Sequence, residues 1–221
     1  MKRPLALLAL IIAAYAGYLS TLDEKDLPPL QNGDLIFQTT WTSQSLAIAF
    51  ASASPYIHTG IVAVNESGQY SVVQAGLHVT ETPLSEWIDQ GILRRFTIYR
   101  YEGLTPEQGR NIVQQARKYS GLPYDFYFTF SPEAIYCSEL NYRAYNESGV
   151  PLATPQKIGT LYINNRFVRS VIEQRWQQYP ACQTPGITFD DCYERIMQSD
   201  IVTPQAVAND PHLTRLFTNY P

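Results

Sequence analysis

The 221-residue chain carries 16 Lys and Arg against 20 Asp and Glu, a formal net charge of −4, and is 45% hydrophobic. That length can bury one sizeable core and points to a single domain. With neither a basic run nor a basic excess, it lacks the phosphate-neutralising charge on which non-specific nucleic-acid binding rests, so no nucleic-acid partner is expected.

At the start of the chain, Lys2 and Arg3 precede an apolar run from Leu5 to Ala14, and Ala14-Tyr15-Ala16 has the small-x-small form of a cleavage site before Gly17. Residues 1–16 are therefore expected to be a signal peptide, giving a periplasmic or secreted protein. The run falls short of the roughly 20 residues of a membrane span, but extension through Tyr18 and Leu19 gives the alternative of an uncleaved anchor. Cleavage would leave 14 cations against 20 acids, a net −6.

After a linker over 17–31 that contains Pro28-Pro29, one domain is expected over 32–221. Asp34 to Gln38 predicts a strand, and Ser43 an N-cap for a helix through Ala53. His58–Val64 and Tyr70–Gln74 predict a hairpin around Asn65-Glu-Ser-Gly68, which puts His58 and Gln74 on adjacent strands. Thr82-Pro83 and Thr105-Pro106 each place Thr at N-cap and Pro at N1 of a helix. Between those helices Arg95–Tyr101 predicts a strand, and the second helix is expected to end before Gly121. An aromatic loop containing Tyr124, Phe126, Tyr127, Phe128 and Phe130 then leads to a helix that opens at Cys137 and stops at Gly149. The tail is expected to hold a helix through Gln178, a loop containing Cys182 and Cys192, and a last helix capped by Thr203, all lying as a cover over the core.

The cysteines divide unequally. Cys182 and Cys192 are close in sequence and would pair in an oxidising compartment, which leaves Cys137 as the odd thiol. At a helix N-terminus Cys137 feels the positive end of the backbone dipole, and a neighbouring imidazolium would lower its pKa further, so Cys137 and His58 together point to nucleophilic catalysis. His58, His78 and His212 are scattered without metal-ligand spacing, and neither a metal nor a cofactor is expected.

The segments Ser-Pro-Tyr-Ile-His58-Thr-Gly, Gly-Leu-Pro-Tyr124-Asp125-Phe and Tyr-Cys137-Ser-Glu-Leu, with Asn32-Gly33-Asp34 before them and Thr203-Pro204-Gln205-Ala206 after, resemble the circularly permuted papain-like amidases of the YaeF/YiiX group in the NlpC-type superfamily. The resemblance implies an α+β fold, an antiparallel sheet or barrel packed against helices with the nucleophile at a helix N-terminus. It also implies that Cys137 is the nucleophile, His58 the base, and Gln74 the residue that orients the imidazole, an amide where the group usually has Glu. Tyr124, Gln44, Thr203 and Gln205 are the expected substrate contacts, with Gln44 helping at the oxyanion. The substrate expected is a cell-wall peptide or a lipid acyl group, with at most transient membrane contact. The alternative is a catalytically weakened protein that binds such a ligand in the same cleft.

Overall fold

The computed structural model describes residues 26–41, 54–161 and 166–221. Six of its strands, β1 (Leu35–Thr40), β2 (His58–Val64), β3 (Tyr70–Ala75), β4 (Val79–Pro83), β5 (Gly91–Tyr101) and β8 (Leu213–Thr218), form an antiparallel sheet in the order β4-β3-β2-β1-β5-β8. The period of two along its strands serves two cores. Leu35, Phe37, Ile61, Ala63, Val73 and Ala75 enter one, whereas Ile36, Val62 and Val72 enter the other.

Helices α2 (Pro106–Lys118) and α3 (Cys137–Glu147) close the first core with Ile112, Val113, Leu140 and Ala144. The short helix α1 (Leu84–Asp89) closes the second with Leu84, Trp87 and Ile88. A third, smaller core gathers Ile158, Val168, Tyr179, Ile196 and Met197 from the two-stranded pair β6 (Gln156–Lys157) and β7 (Asp200–Ile201), helices α4 (Arg166–Arg175) and α5 (Phe189–Met197), and the turns between them. A Cys182–Cys192 disulfide lies within this third core. Helix α6 (Pro204–Ala208) leads from it back to β8.

The hairpin around residues 65–68 is present, and Thr105 and Gln108 form a reciprocal capping box at the start of α2. Gly121 and Gly149 lie just past α2 and α3 at positive φ, where a side chain would be strained. Two local expectations need correction, and one element was not anticipated. Thr82 is not a helix cap: β4 runs through Pro83, and the Thr82 hydroxyl accepts the Gln74 side-chain N–H at 3.0 Å instead. Cys192 does not sit in a loop, because Thr188 and Asp191 form a capping box that starts α5. Finally, Leu213–Thr218 completes the sheet against β5, a pairing between segments distant in sequence that local pattern did not signal.

The register sets Gly60 directly opposite Gln74. A Cβ at Gly60 would lie 2.5 Å from Val72 Cγ1 and 3.4 Å from Gln74 Cβ, so no side chain fits there without moving β3. Gly60→Val is expected to lower stability by about 1–3 kcal/mol in urea unfolding, the usual cost of overpacking.

Candidate active site

Cys137 is the first residue of α3 and is 2% exposed. Its helix start is held on both sides. The Tyr136 N–H donates to Glu139 Oε2 at 3.3 Å, and the Tyr136 hydroxyl accepts the Val202 N–H at 3.0 Å. The thiol therefore sits at the positive end of the helix, 4.0 Å from the Ile57 carbonyl that precedes β2. One turn further along α3, Asn141 donates to the Thr59 hydroxyl at 2.8 Å, and Thr59 donates to the Ile36 carbonyl at 2.9 Å. The helix that carries the thiol is thus clamped to the strand that carries His58.

Since Gly60 pairs with Gln74, His58 and Gln74 have matching parity and share a face as diagonal neighbours. His58 Nε2 lies 2.6 Å from Gln74 Oε1, and the Gln74 amide nitrogen is committed to Thr82. That second bond orients the amide. Its oxygen can only accept, so Nε2 carries the proton and the neutral ring keeps its lone pair on Nδ1 for the thiol.

The electrostatics follow from this packing. Burial disfavours the imidazolium, but the Cys137 side chain and the Gln74 oxygen outweigh it, and the His58 pKa is raised above 6.5. Burial likewise pushes the thiol up, but the bond and charge of His58, the Tyr124 hydroxyl and the Thr59 N–H bring Cys137 below its ordinary 9.0. An ion pair exists above the thiol pKa and below the imidazole pKa. In their unperturbed order, 9.0 above 6.5, the two groups leave it no window; both shifts run in the direction that favours the thiolate–imidazolium pair.

Two aromatic residues complete the surroundings. The Trp87 ring stacks on the His58 ring with centroids 5.8 Å apart and 23° between planes, a geometry that favours the charged imidazole. The Tyr124 hydroxyl lies 3.9 Å from Cys137 Sγ and, with its pKa raised by burial and by the thiol, stays protonated and able to donate. Asp125 braces the loop by accepting the Tyr127 and Thr129 N–H groups at 2.8 and 2.6 Å. This is the turn role rather than a role at the thiol. Phe128 within that loop has φ 54°, a strained value for a bulky residue, and its ring lines a cavity that reaches Cys137.

That cavity measures about 140 Å³, and its wall includes Cys137, Tyr124, Phe126, Tyr127, Phe128 and Thr203. Thr203 also caps α6, accepting the Ala206 N–H. Phe130 instead packs on Tyr136 and Tyr142. Gln205 is not in the wall, and its amide donates to Asn209 at 2.6 Å. Gln44, the Ser43 cap and the leader lie outside the described residues. Sequence reasoning missed Trp87 and the opposite wall, made by Val168, Ile172 and Arg175 of α4 with Ile196 of α5. The i, i+4, i+7 spacing of those α4 residues was the available signal.

A family model described as "Permuted papain-like amidase enzyme, YaeF/YiiX, C92 family" matches residues 29–217. Uncharacterized protein YiiX of Escherichia coli (strain K12) is 33% identical over 194 residues, covering 86% of this chain and 88% of that protein. The crystal structure of metalloprotein yiiX from Escherichia coli O157:H7 matches with a TM-score of 0.76 at 32% identity, over 88% of this chain and 100% of the other. Here the donor set does not fit a metal: among the described residues no three or more His, Cys, Asp or Glu gather, and the neighbours of Cys137 and His58 are an amide, a phenol and an indole.

Cys137 is expected to alkylate with iodoacetamide at pH 6–7 faster than a free thiol of pKa about 8.5. His58→Ala should move the profile toward that ordinary thiol, and Trp87→Leu should move its midpoint upward by roughly half a pH unit.

Proposed function

The chain belongs to the permuted papain-like amidases of the YaeF/YiiX family, and from that premise we propose that it is a cysteine hydrolase cleaving an amide or ester of an envelope substrate through a thioacyl intermediate on Cys137. The observation that carries this reading is the 2.6 Å bond from His58 to Gln74, which leaves the opposite ring nitrogen free to serve a thiol whose pKa His58 lowers, at a helix N-terminus.

In the first half-reaction the thiolate attacks the carbonyl carbon and an S–C bond forms. His58, which holds the thiol proton, gives it to the leaving nitrogen or oxygen as that bond breaks. In the second, water attacks the thioester, His58 takes a proton from it, and the thiolate is released with the acid product. Negative charge on the carbonyl oxygen would be met by N–H groups of the first turn of α3, which lack intrahelical acceptors. The Tyr124 hydroxyl, 3.9 Å from the sulfur, is suited to donate to the same oxygen.

The Cys182–Cys192 disulfide points to an oxidising, exported setting, and among the described residues no helix is long and apolar enough to cross a membrane. Export through the leader at residues 1–16 fits that setting.

Gln74→Glu should raise kcat/KM by roughly fivefold, because a carboxylate bonds the imidazolium more strongly than an amide does. Thr82 would then donate where it now accepts. Gln74→Ala should lower kcat/KM by about tenfold through loss of orientation. With envelope extract as substrate, intact-mass analysis should find an acyl adduct on Cys137 that is absent from Cys137→Ala; a protein that never carries one would defeat the proposal.

A further inference from the structure

We propose that Arg143 is a positioning residue: paired with Glu139, it clamps the aromatic loop to α3 and so holds the Tyr124 hydroxyl at the thiol; this rests on the hydrolase reading above and deepens it. Glu139 is a fully buried carboxylate that the mechanism does not use. Its Oε1 lies 2.6 Å from Nη2 of half-buried Arg143, one turn further along α3, and its Oε2 accepts the Tyr136 N–H. A buried carboxylate needs a counter-charge, and a pair within one helix meets that need by itself. Arg143 does more. The same Nη2 donates to the Ser131 carbonyl of the loop at 3.1 Å, and the guanidinium carbon lies 6.0 Å from the Phe130 ring and 5.9 Å from the Tyr119 ring.

The loop needs such a hold because it is strained. Its base is closed by the Asp125 N–H on the Ile135 carbonyl at 3.2 Å and the Ile135 N–H on the Pro123 carbonyl at 3.0 Å. Between those ends Phe128 stands at φ 54°, where a bulky residue persists only if its surroundings over-determine it. They do so from both sides: Asp125 fixes the Tyr127 and Thr129 N–H groups, and Arg143 fixes the Ser131 carbonyl. The consequence reaches the sulfur. The Phe128 ring packs edge-on against Tyr136 at 5.4 Å and against Tyr124 at 6.3 Å, and the Tyr124 hydroxyl is 3.9 Å from Cys137 Sγ. Once the Ser131 anchor is lost, Phe128 can relax, and the Tyr124 ring loses a support. Lysine would pair with Glu139 but not replace the clamp, because an ammonium is a point charge, whereas a planar guanidinium meets a carboxylate, a carbonyl and ring faces together.

The test has two arms. In the first, kcat/KM is measured on p-nitrophenyl butyrate. Arg143→Met should lower it about tenfold, the effect of losing a charge-assisted hydrogen bond. In a Tyr124→Phe background the same change should cost less than about twofold, because the hydroxyl it positions is already gone. Arg143→Lys should regain the thermal stability of the wild type but not its rate. The double variant Glu139→Gln/Arg143→Met leaves no buried charge unpaired and takes the place of Arg143→Met if that protein fails to fold. In the second arm, chymotryptic cleavage after the exposed Phe126 and Phe130 is followed by mass, and should be about tenfold faster in Arg143→Met and in Arg143→Lys than in the wild type. Full restoration of rate and protease resistance by lysine would reduce Arg143 to a helix ion pair and overturn the clamp, as would an undiminished loss in the Tyr124→Phe background; both leave the hydrolase reading in place. Faster loop cleavage in both Arg143 variants of a protein that turns over no ester and whose Cys137 alkylates like an ordinary thiol would instead defeat the hydrolase reading and leave the clamp standing.

Discussion

The bond between His58 Nε2 and Gln74 Oε1 fixes which nitrogen of the imidazole is left for Cys137, and much of the sheet is arranged to hold it. Three strands contribute: β2 carries the ring, β3 the amide, and β4 the Thr82 hydroxyl that settles which end of the amide turns toward the ring. A one-residue slip between β2 and β3 would send Gln74 to the opposite face, so register and tautomer are one constraint. Gly60 belongs to it because its missing side chain lets β3 approach. An amide cannot offset the imidazolium charge as a carboxylate would. The stacked Trp87 ring and the thiolate itself supply that compensation, consistent with a His58 pKa that is raised even though desolvation opposes it.

The thiol lies at a seam. On one side the sheet and α3 are locked together by Asn141, Thr59 and the Ile36 carbonyl. On the other, the Tyr136 hydroxyl and the Ser138 hydroxyl bind the backbone of Val202, which joins the third core to the start of α3. The reacting groups therefore sit on the rigid sheet and helix, while most of the apolar wall comes from the loop and the disulfide-containing tail. Such a division lets the tail vary in shape without moving the Cys137–His58 pair.

The parts legible in the sequence were those whose causes are local. The Thr105 capping box, the hairpin at residues 65–68, the helix opening at Cys137 and the Cys182–Cys192 pairing each depend on a few neighbouring residues. Gln74 was reached through family resemblance, and its position beside His58 depends on a register that sequence leaves open. Thr82 misled because Thr-Pro has the form of a cap, whereas a tertiary partner claimed its hydroxyl. Trp87 and β8 were missed because their roles arise only when segments distant in sequence meet: α1 folds over the His58 face, and the C-terminal strand pairs with β5. Gln205 stood in a matching motif, and its amide donates to Asn209 at the end of the same short helix.

The central claim is that Cys137 and His58 form a thiolate–imidazolium pair in the resting protein. Titration of the His58 imidazole by NMR, in wild type and in Cys137→Ser, tests it most directly. The account predicts a His58 pKa above the ordinary 6.5 in wild type, with ring nitrogen shifts of the doubly protonated form near neutral pH, and a fall in that pKa once the sulfur is replaced. A His58 that titrates at the same pH in both proteins would mean that its proton is not shared with the thiol, and would contradict the account.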